Sequence, residues 1–171
     1  MATHNFIQRL RAIEKTMKLI PNKVAIEAVR FSKERFQQGN WIGANTETWK
    51  PRKPVKQSKS RAGRGILTDT GRLRRSIRKV QANTQKVTIG TDVPYAHIHN
   101  TGGRYTASQN VGAHMRKAHK RNGKMVKAHH VNSFSRTLTV NMPRRQFIGE
   151  SPFLAKRMVR MMSAEFNRIL R

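Results

Sequence analysis

Residues 66–102 read ILTDTGRLRRSIRKVQANTQKVTIGTDVPYAHIHNTG, and this stretch decides the fold class. Thr68, Asp69 and Thr70 can each offer a side-chain oxygen to the free amides of a helix start. Leu73 and Ile77 follow on one face at i,i+4, which turns Arg72, Arg74, Arg75 and Arg78 away from the core. Residues 77–82 then read as a strand, Asn83-Thr84-Gln85 as a turn, and 86–90 as the returning strand with Val87 and Ile89 inward. Pro94 suits the first position of a helical turn carrying Tyr95, Ile98 and His99, closed by Thr101-Gly102-Gly103. A capped helix start, a strand pair and a proline-led helical turn thus lie within fewer than forty residues.

Upstream, Phe6, Leu10, Ile13, Met17 and Ile20 recur at helical spacing with Thr3 as a possible cap. Pro21 should end that helix, because proline lacks the amide donor and disfavours helix in the residue before it. Asn22 can cap a second helix with Ala25, Val29, Ser32 and Phe36 on one face, stopped by Gly39. Two antiparallel helices are expected, both stripes forming core. From Trp41 to Gly65 periodicity vanishes, and Pro51 and Pro54 sit among Lys50, Arg52, Lys53, Lys56, Lys59, Arg61 and Arg64. That is loop or arm composition, either mobile or ordered by a partner, with Trp49 as the residue that docks it.

Downstream, residues 104–133 form a second basic tract without an acid, carrying Arg104, Arg116, Lys117, Lys120, Arg121, Lys124 and Lys127. Residues 134–142 alternate Phe134, Arg136, Leu138, Val140 and Met142 with polar residues, the clearest strand pattern in the chain. A basic excursion that returns into a strand suggests a long loop or hairpin. Ser151 and Pro152 open a last helix striped by Leu154, Met158, Met162, Phe166 and Ile169, where methionine suits core or a subunit contact. One domain over 1–171 is expected, with flexible basic tracts near 50–65 and 104–133. Its framework residues are Trp49, Leu73, Ile77, Val87, Ile89, Tyr95, Ile98, Leu138, Val140 and Phe147.

The charge narrows the function. Lys and Arg number 36 against 8 acids, a formal net charge of +28. Self-repulsion on that scale favours a polyanion or acidic partner. Candidate contacts with DNA or a partner are Lys50, Arg52, Lys53, Lys56, Arg104, Arg116, Lys117, Lys120, Arg121, Lys124 and Lys127. Cysteine is absent, so disulfides and thiolate metal sites play no part. No apolar run reaches membrane-spanning length and no signal-peptide pattern opens the chain, so no membrane partner is expected.

Catalysis is not expected. Glu14, Glu27 and Glu34 fall on the outer helix faces of this reading, and Asp69 and Asp92 at a cap or turn, which pairs no carboxylates for acid–base work. His97 and His99 diverge in a short helical turn. His114, His119, His129 and His130 lack acid or thiolate co-ligands, and a zinc site needs about four converging ligands. No glycine-rich phosphate loop is present, and no cofactor is expected.

With these residues in place, the sequence resembles the phage virion morphogenesis family of tail-completion and neck proteins. Trp49 with Pro51, Leu67-Thr68-Asp69-Thr70-Gly71-Arg72-Leu73 and Ser76-Ile77 carry the likeness first. Val87-Thr88-Ile89-Gly90, Tyr95-Ala96-His97-Ile98-His99-Asn100 with Gly102, and Pro143-Arg144-Arg145 with Phe147-Ile148-Gly149 complete it. The tract between Gly103 and Phe134 departs from the pattern. The resemblance implies an α+β fold, a small antiparallel β-sheet flanked by helices, and a non-enzymatic structural protein of the virion neck, present in the host cytoplasm during assembly. It further implies a ring of six or twelve copies around the DNA channel. Portal or head-completion proteins would lie on one side and tail tube or terminator proteins on the other, with double-stranded DNA in the lumen. Composition alone fits a free nucleic-acid-binding protein, ribosomal or architectural, equally well.

Overall fold

One long helix, α1 (Ala2–Gln38), begins the chain in a computed structural model that describes residues 2–52 and 64–170, with side chains from Asn5 onward. Proline does not divide it: Pro21 lies buried inside the helix. The missing amide and ring clash cost about 3 kcal/mol in a helix interior, and burial of the following face outweighs them. That face holds Ala25, Ala28, Phe31, Ser32, Arg35 and Phe36, all buried. The expected stripe before Pro21 is not core. Phe6 is 62% exposed, Leu10 and Met17 are also exposed, and only Ile13 and Ile20 are half-buried. The elements that bury α1 gather around its C-terminal half.

Gly39 ends the helix at φ +63°, a left-handed conformation that only glycine adopts freely, and its amide closes on the Arg35 carbonyl at 2.8 Å. Order continues where a loop was expected. β1 (Asn40–Ile42) and β2 (Thr46–Thr48) pair antiparallel, and Trp41 is buried edge-on against Phe31 at 5.6 Å. Lys53, Lys56, Lys59 and Arg61 lie outside the described residues.

The 66–102 stretch folds nearly as read. α2 (Arg72–Ser76) buries Leu73, and Ile77 just after it is buried too. The cap differs in position: Gly71, left-handed at φ 72°, is the N-cap residue, and Thr70 Oγ1, one residue earlier, accepts a long hydrogen bond from the Arg72 amide at 3.4 Å. β3 (Arg78–Ala82) and β4 (Val87–Gly90) pair antiparallel across a turn in which Asn83 Oδ1 accepts the amides of Gln85 and Lys86. α3 (Ala96–Thr101) follows Pro94. The core joins Phe36, Trp49, Leu73, Ile77, Val93, Ala96 and Phe147.

The last helix, α4 (Pro152–Leu170), is capped as expected, with Ser151 Oγ accepting the Leu154 amide at 3.1 Å and donating to the Ile42 carbonyl at 2.5 Å. It runs antiparallel to α1. Phe153 stacks on Phe31, Arg157 pairs with Glu27 and Glu34, and Glu165 pairs with Lys23 at 2.6 Å. Glu27 and Glu34 therefore face α4 rather than solvent, because a guanidinium stands opposite them. Leu154, Met158, Met162, Phe166 and Ile169 are half-buried.

These elements form one compact unit, residues 1–101 with 143–171; residues 102–142 form a second. Of the two forms expected for the basic excursion, loop or hairpin, the second unit takes the hairpin, and residues 104–133 are largely strand-paired where low order is expected. β5 (Gly103–Val111), β6 (His114–Arg116) and β7 (His119–Arg121) pair with β10 (Phe134–Met142), β9 (His129–Val131) and β8 (Lys124–Val126) respectively. The register never shifts: Gly103 faces Met142, Val111 faces Phe134, His114 faces Val131, and Arg121 faces Lys124. Two ladder gaps, at 112–113 opposite 132–133 and at 117–118 opposite 127–128, remove the same number of residues from each strand. Asn122 (φ 50°) and Gly123 (φ 78°) make the tip, the two positive φ values of a type I′ turn.

The α1–α4 contact yields a test. Arg157→Ala takes from Glu27 its cation and leaves Glu34 only Arg30 and Arg35, and it should lower unfolding stability by about 1–2 kcal/mol, the ion pairs being partly solvated. Urea denaturation checks this, and adding Glu34→Gln to the variant should lose less than the sum of the single changes.

Candidate functional site

The densest polar constellation in the first unit lies where α3 meets the segment after the hairpin. Asn100 Oδ1 accepts the amides of Phe147 and Ile148 at 2.9 and 3.0 Å, while its Nδ2 donates to the Ile148 carbonyl at 2.9 Å. The Arg145 amide donates to the His99 carbonyl at 2.9 Å. The Arg145 guanidinium, itself buried, donates from Nε and Nη2 to the Lys50 carbonyl at 3.1 and 2.9 Å. Trp49 Nε1 donates to the Gln146 carbonyl at 2.9 Å. Side chains and loop carbonyls thus satisfy a peptide segment that belongs to no strand. Phe147, so held, inserts between Phe36 and the remaining core, with its ring centre 5.0 Å from that of Phe36.

The site is electropositive inside. Burial, then the charge of Arg52, lowers the pKa of Arg145. Burial, then the Arg145 charge, holds His99 below the ordinary histidine value of 6.5. His99 Nδ1 is buried without a hydrogen-bond partner, and the Tyr95 ring meets the imidazole edge-on at 5.8 Å. His99 is therefore neutral near pH 7. This arrangement fastens the chain to itself, with no acid among the described partners of His99 to orient it as a base.

The candidate basic residues fall into two places. The Lys50 and Arg52 side chains are exposed beside the fastening, and Arg52 donates to the Gly65 carbonyl at 2.6 Å. Arg104, Arg116, Lys117, Lys120, Arg121, Lys124 and Lys127 are all exposed on the hairpin. Lys53 and Lys56 lie outside the described residues. A separate groove of about 750 Å³ runs between α1 and β3, floored by Ile26 and Val29 and edged by Lys33, Arg74, Arg78 and Lys79. Among the described residues no three His, Cys, Asp or Glu side chains gather as a metal site, and no helix is long and apolar enough to cross a membrane.

Residues 2–167 match the phage virion morphogenesis family. The chain belongs to that family. Comparison with curated proteins and with solved structures found no match. Membership makes this morphogenesis protein a virion-associated component with a structural, assembly role.

Four of the ten framework residues read from the sequence lie in the buried core. Trp49, Leu73, Ile77 and Phe147 are buried, while Val87, Ile89 and Ile98 are half-buried. Leu138 and Val140 are half-buried in the hairpin, outside the main core, and Tyr95 is 44% exposed. Val93, Ala96, Phe31 and Trp41 join the buried set without having been singled out. Asn100 and Arg145 carried the resemblance with no role attached. Their partners lie about fifty and about ninety-five residues away, beyond any local pattern.

Two outcomes are expected of this site. Asn100→Ala leaves the amides of Phe147 and Ile148 unpaired and should cost about 2–3 kcal/mol, seen as a fall in melting temperature of roughly 5–10 °C. His99 gives a pH dependence whose sign follows from its depressed folded-state pKa: below pH 6.5 the unfolded chain takes up a proton that the folded chain resists. Stability is therefore full above that value and falls as pH drops through it. Urea midpoints measured across this window should flatten in His99→Gln.

Proposed function

We propose that the protein is a structural subunit of the head–tail neck, acting in head–tail joining, tail completion or tail termination, and that it assembles as a ring around the DNA channel. The family match across nearly the whole chain carries this reading. A surface made for association supports it. Phe6, Ile7, Leu10, Met17 and Leu19 expose apolar area along the first half of α1, and Phe153 and Val159 do so on α4. The net charge of +28 supports a role beside a polyanion, since like-charged subunits assemble more readily when one is present.

On this reading the subunit makes a homo-oligomer of six or twelve copies. Portal or head-completion proteins lie on one side, tail tube or terminator proteins on the other, and viral duplex DNA passes through the lumen. The charge favours a second reading, a free basic nucleic-acid-binding protein of ribosomal or architectural type. That reading requires a monomer or dimer.

Native mass measurement and negative-stain imaging of the purified protein separate the two. Closed rings are expected, and Phe6→Asp with Leu10→Asp should reduce the mass toward that of the protomer. A protein that stays monomeric or dimeric at every concentration, and is missing from antibody-labelled particle necks, would overturn the neck reading.

A further inference from the structure

The hairpin segregates charge along its length. Its inner part, β5 with β10, carries only Arg104 and Arg136 and shows Ser, Thr and Asn along one face. Its outer part, residues 112–133, carries Arg116, Lys117, Lys120, Arg121, Lys124 and Lys127 together with four histidines. All eight acids of the chain lie in the other unit. There, cations find counter-charges: Arg157 on Glu27 and Glu34, Lys23 on Glu165, Arg64 on Asp69, Arg78 on Asp92. The six outer hairpin cations have no side-chain partner among the described residues.

We propose that the outer hairpin, residues 112–133, is a β-ribbon that grips the phosphate backbone of duplex DNA without reading its sequence. This rests on the neck reading for the source of the duplex. The major groove, about 12 Å wide and walled by phosphates on both sides, admits a two-stranded ribbon. The register puts cations on both faces of such a ribbon. Beside the tip, Lys120 lies on the same face as Met125, whereas Arg121 and Lys124 share the opposite one. A protein partner fits less well, because protein interfaces need an apolar centre and are depleted in lysine. Residues 112–133 contain no Phe, Tyr or Trp, and three of their four imidazoles are tied back to the main chain, so the broad stacking platform of single-strand binders is missing and a duplex is the better-matching ligand.

Three histidines help to hold this ribbon in shape. At three of the four points where a strand resumes after a ladder gap, an Ala-His pair stands. The imidazole Nδ1 bonds the carbonyl two residues back: His114 to Gly112 at 2.9 Å, His119 to Lys117 at 3.1 Å, and His129 to Lys127 at 2.9 Å. A carbonyl can only accept, so Nδ1 carries the proton in each. These bonds satisfy carbonyls that the interrupted ladder leaves unpaired, and they hold the outer ribbon extended.

Fluorescence anisotropy of the full chain on a labelled mixed-sequence duplex, taken through a salt titration, tests the proposal. Lys120, Lys124 and Lys127 changed together to Gln should weaken binding by about ten- to a hundredfold at moderate salt. The salt-dependence slope should fall by about 2.7, since each phosphate contact contributes about 0.9. A control that removes the same charge from α1, Arg9, Arg11 and Lys15 changed to Gln, should change affinity by less than about threefold. Changing the three lysines to Arg should keep wild-type binding. Equal losses in both Gln triples, or none in either, would overturn the proposal. So would a hairpin triple that loses affinity for polyglutamate yet retains it for duplex. Ring mass, measured in parallel, separates the two readings: intact wild-type rings without duplex affinity sink this inference alone, and a duplex-gripping monomer sinks the neck alone.

Discussion

The first unit depends on one constraint: two chain segments about fifty residues apart must be held as neighbours around a single asparagine. Asn100 uses both ends of its amide on the Phe147–Ile148 peptides, and Arg145 and Trp49 complete the fastening from either side. A carboxylate at 100 could accept from those amides but not donate to the carbonyl, and a leucine could do neither. Through this clasp the core receives Phe147, and α4 receives the starting point from which Ser151 caps it. The excursion of residues 102–142 thus begins and ends within hydrogen-bonding reach of itself, and the closure entropy of a long insertion is already covered.

Scarce acids shape the rest of that unit. Eight carboxylates cannot neutralise 36 cations, so those present are concentrated. Glu27 and Glu34 converge on Arg157, and Glu34 also lies 3.8 Å from the buried Arg35 guanidinium. Arg35 makes do with the Phe31 carbonyl and ring face and with Asn40. Arg145 makes do with a backbone carbonyl. Buried guanidinium groups without a dedicated carboxylate fit a protein that carries few acids, and one of them adds its charge to the burial that holds the His99 pKa down.

Sequence reasoning succeeded where the signal was local. The 71–102 succession, the Asn83 turn, the Ser151 cap and the 134–142 strand all follow from patterns contained within a few residues, and all are present. It failed at Pro21, where tertiary burial of Ala25, Phe31 and Phe36 outweighed a local rule. It failed again at the stripe of Phe6, Leu10 and Met17, because helical periodicity shows that a face is apolar but not what covers it. The hairpin was legible only as one of two alternatives, with a loop as the other, for a third reason. Strands solvated on both faces show no apolar alternation, and Lys and His disguised them as loop. Asn122-Gly123 was the available sign, a dipeptide suited to two successive positive φ values. The clasp was beyond local reading, since its partners are remote in sequence and its residues are individually ordinary.

The unshifted register of the hairpin has a consequence for its length. Because each ladder gap removes two residues from both strands, pairing on either side remains in one frame. Residues added in opposed pairs would extend the ribbon by about 3.3 Å per pair and leave its anchored end unchanged. A residue added to one strand alone would turn every side chain beyond it to the other face. The ribbon is in effect an adjustable ruler: its reach can be reset at the gaps while the frame of its pairing stays the same.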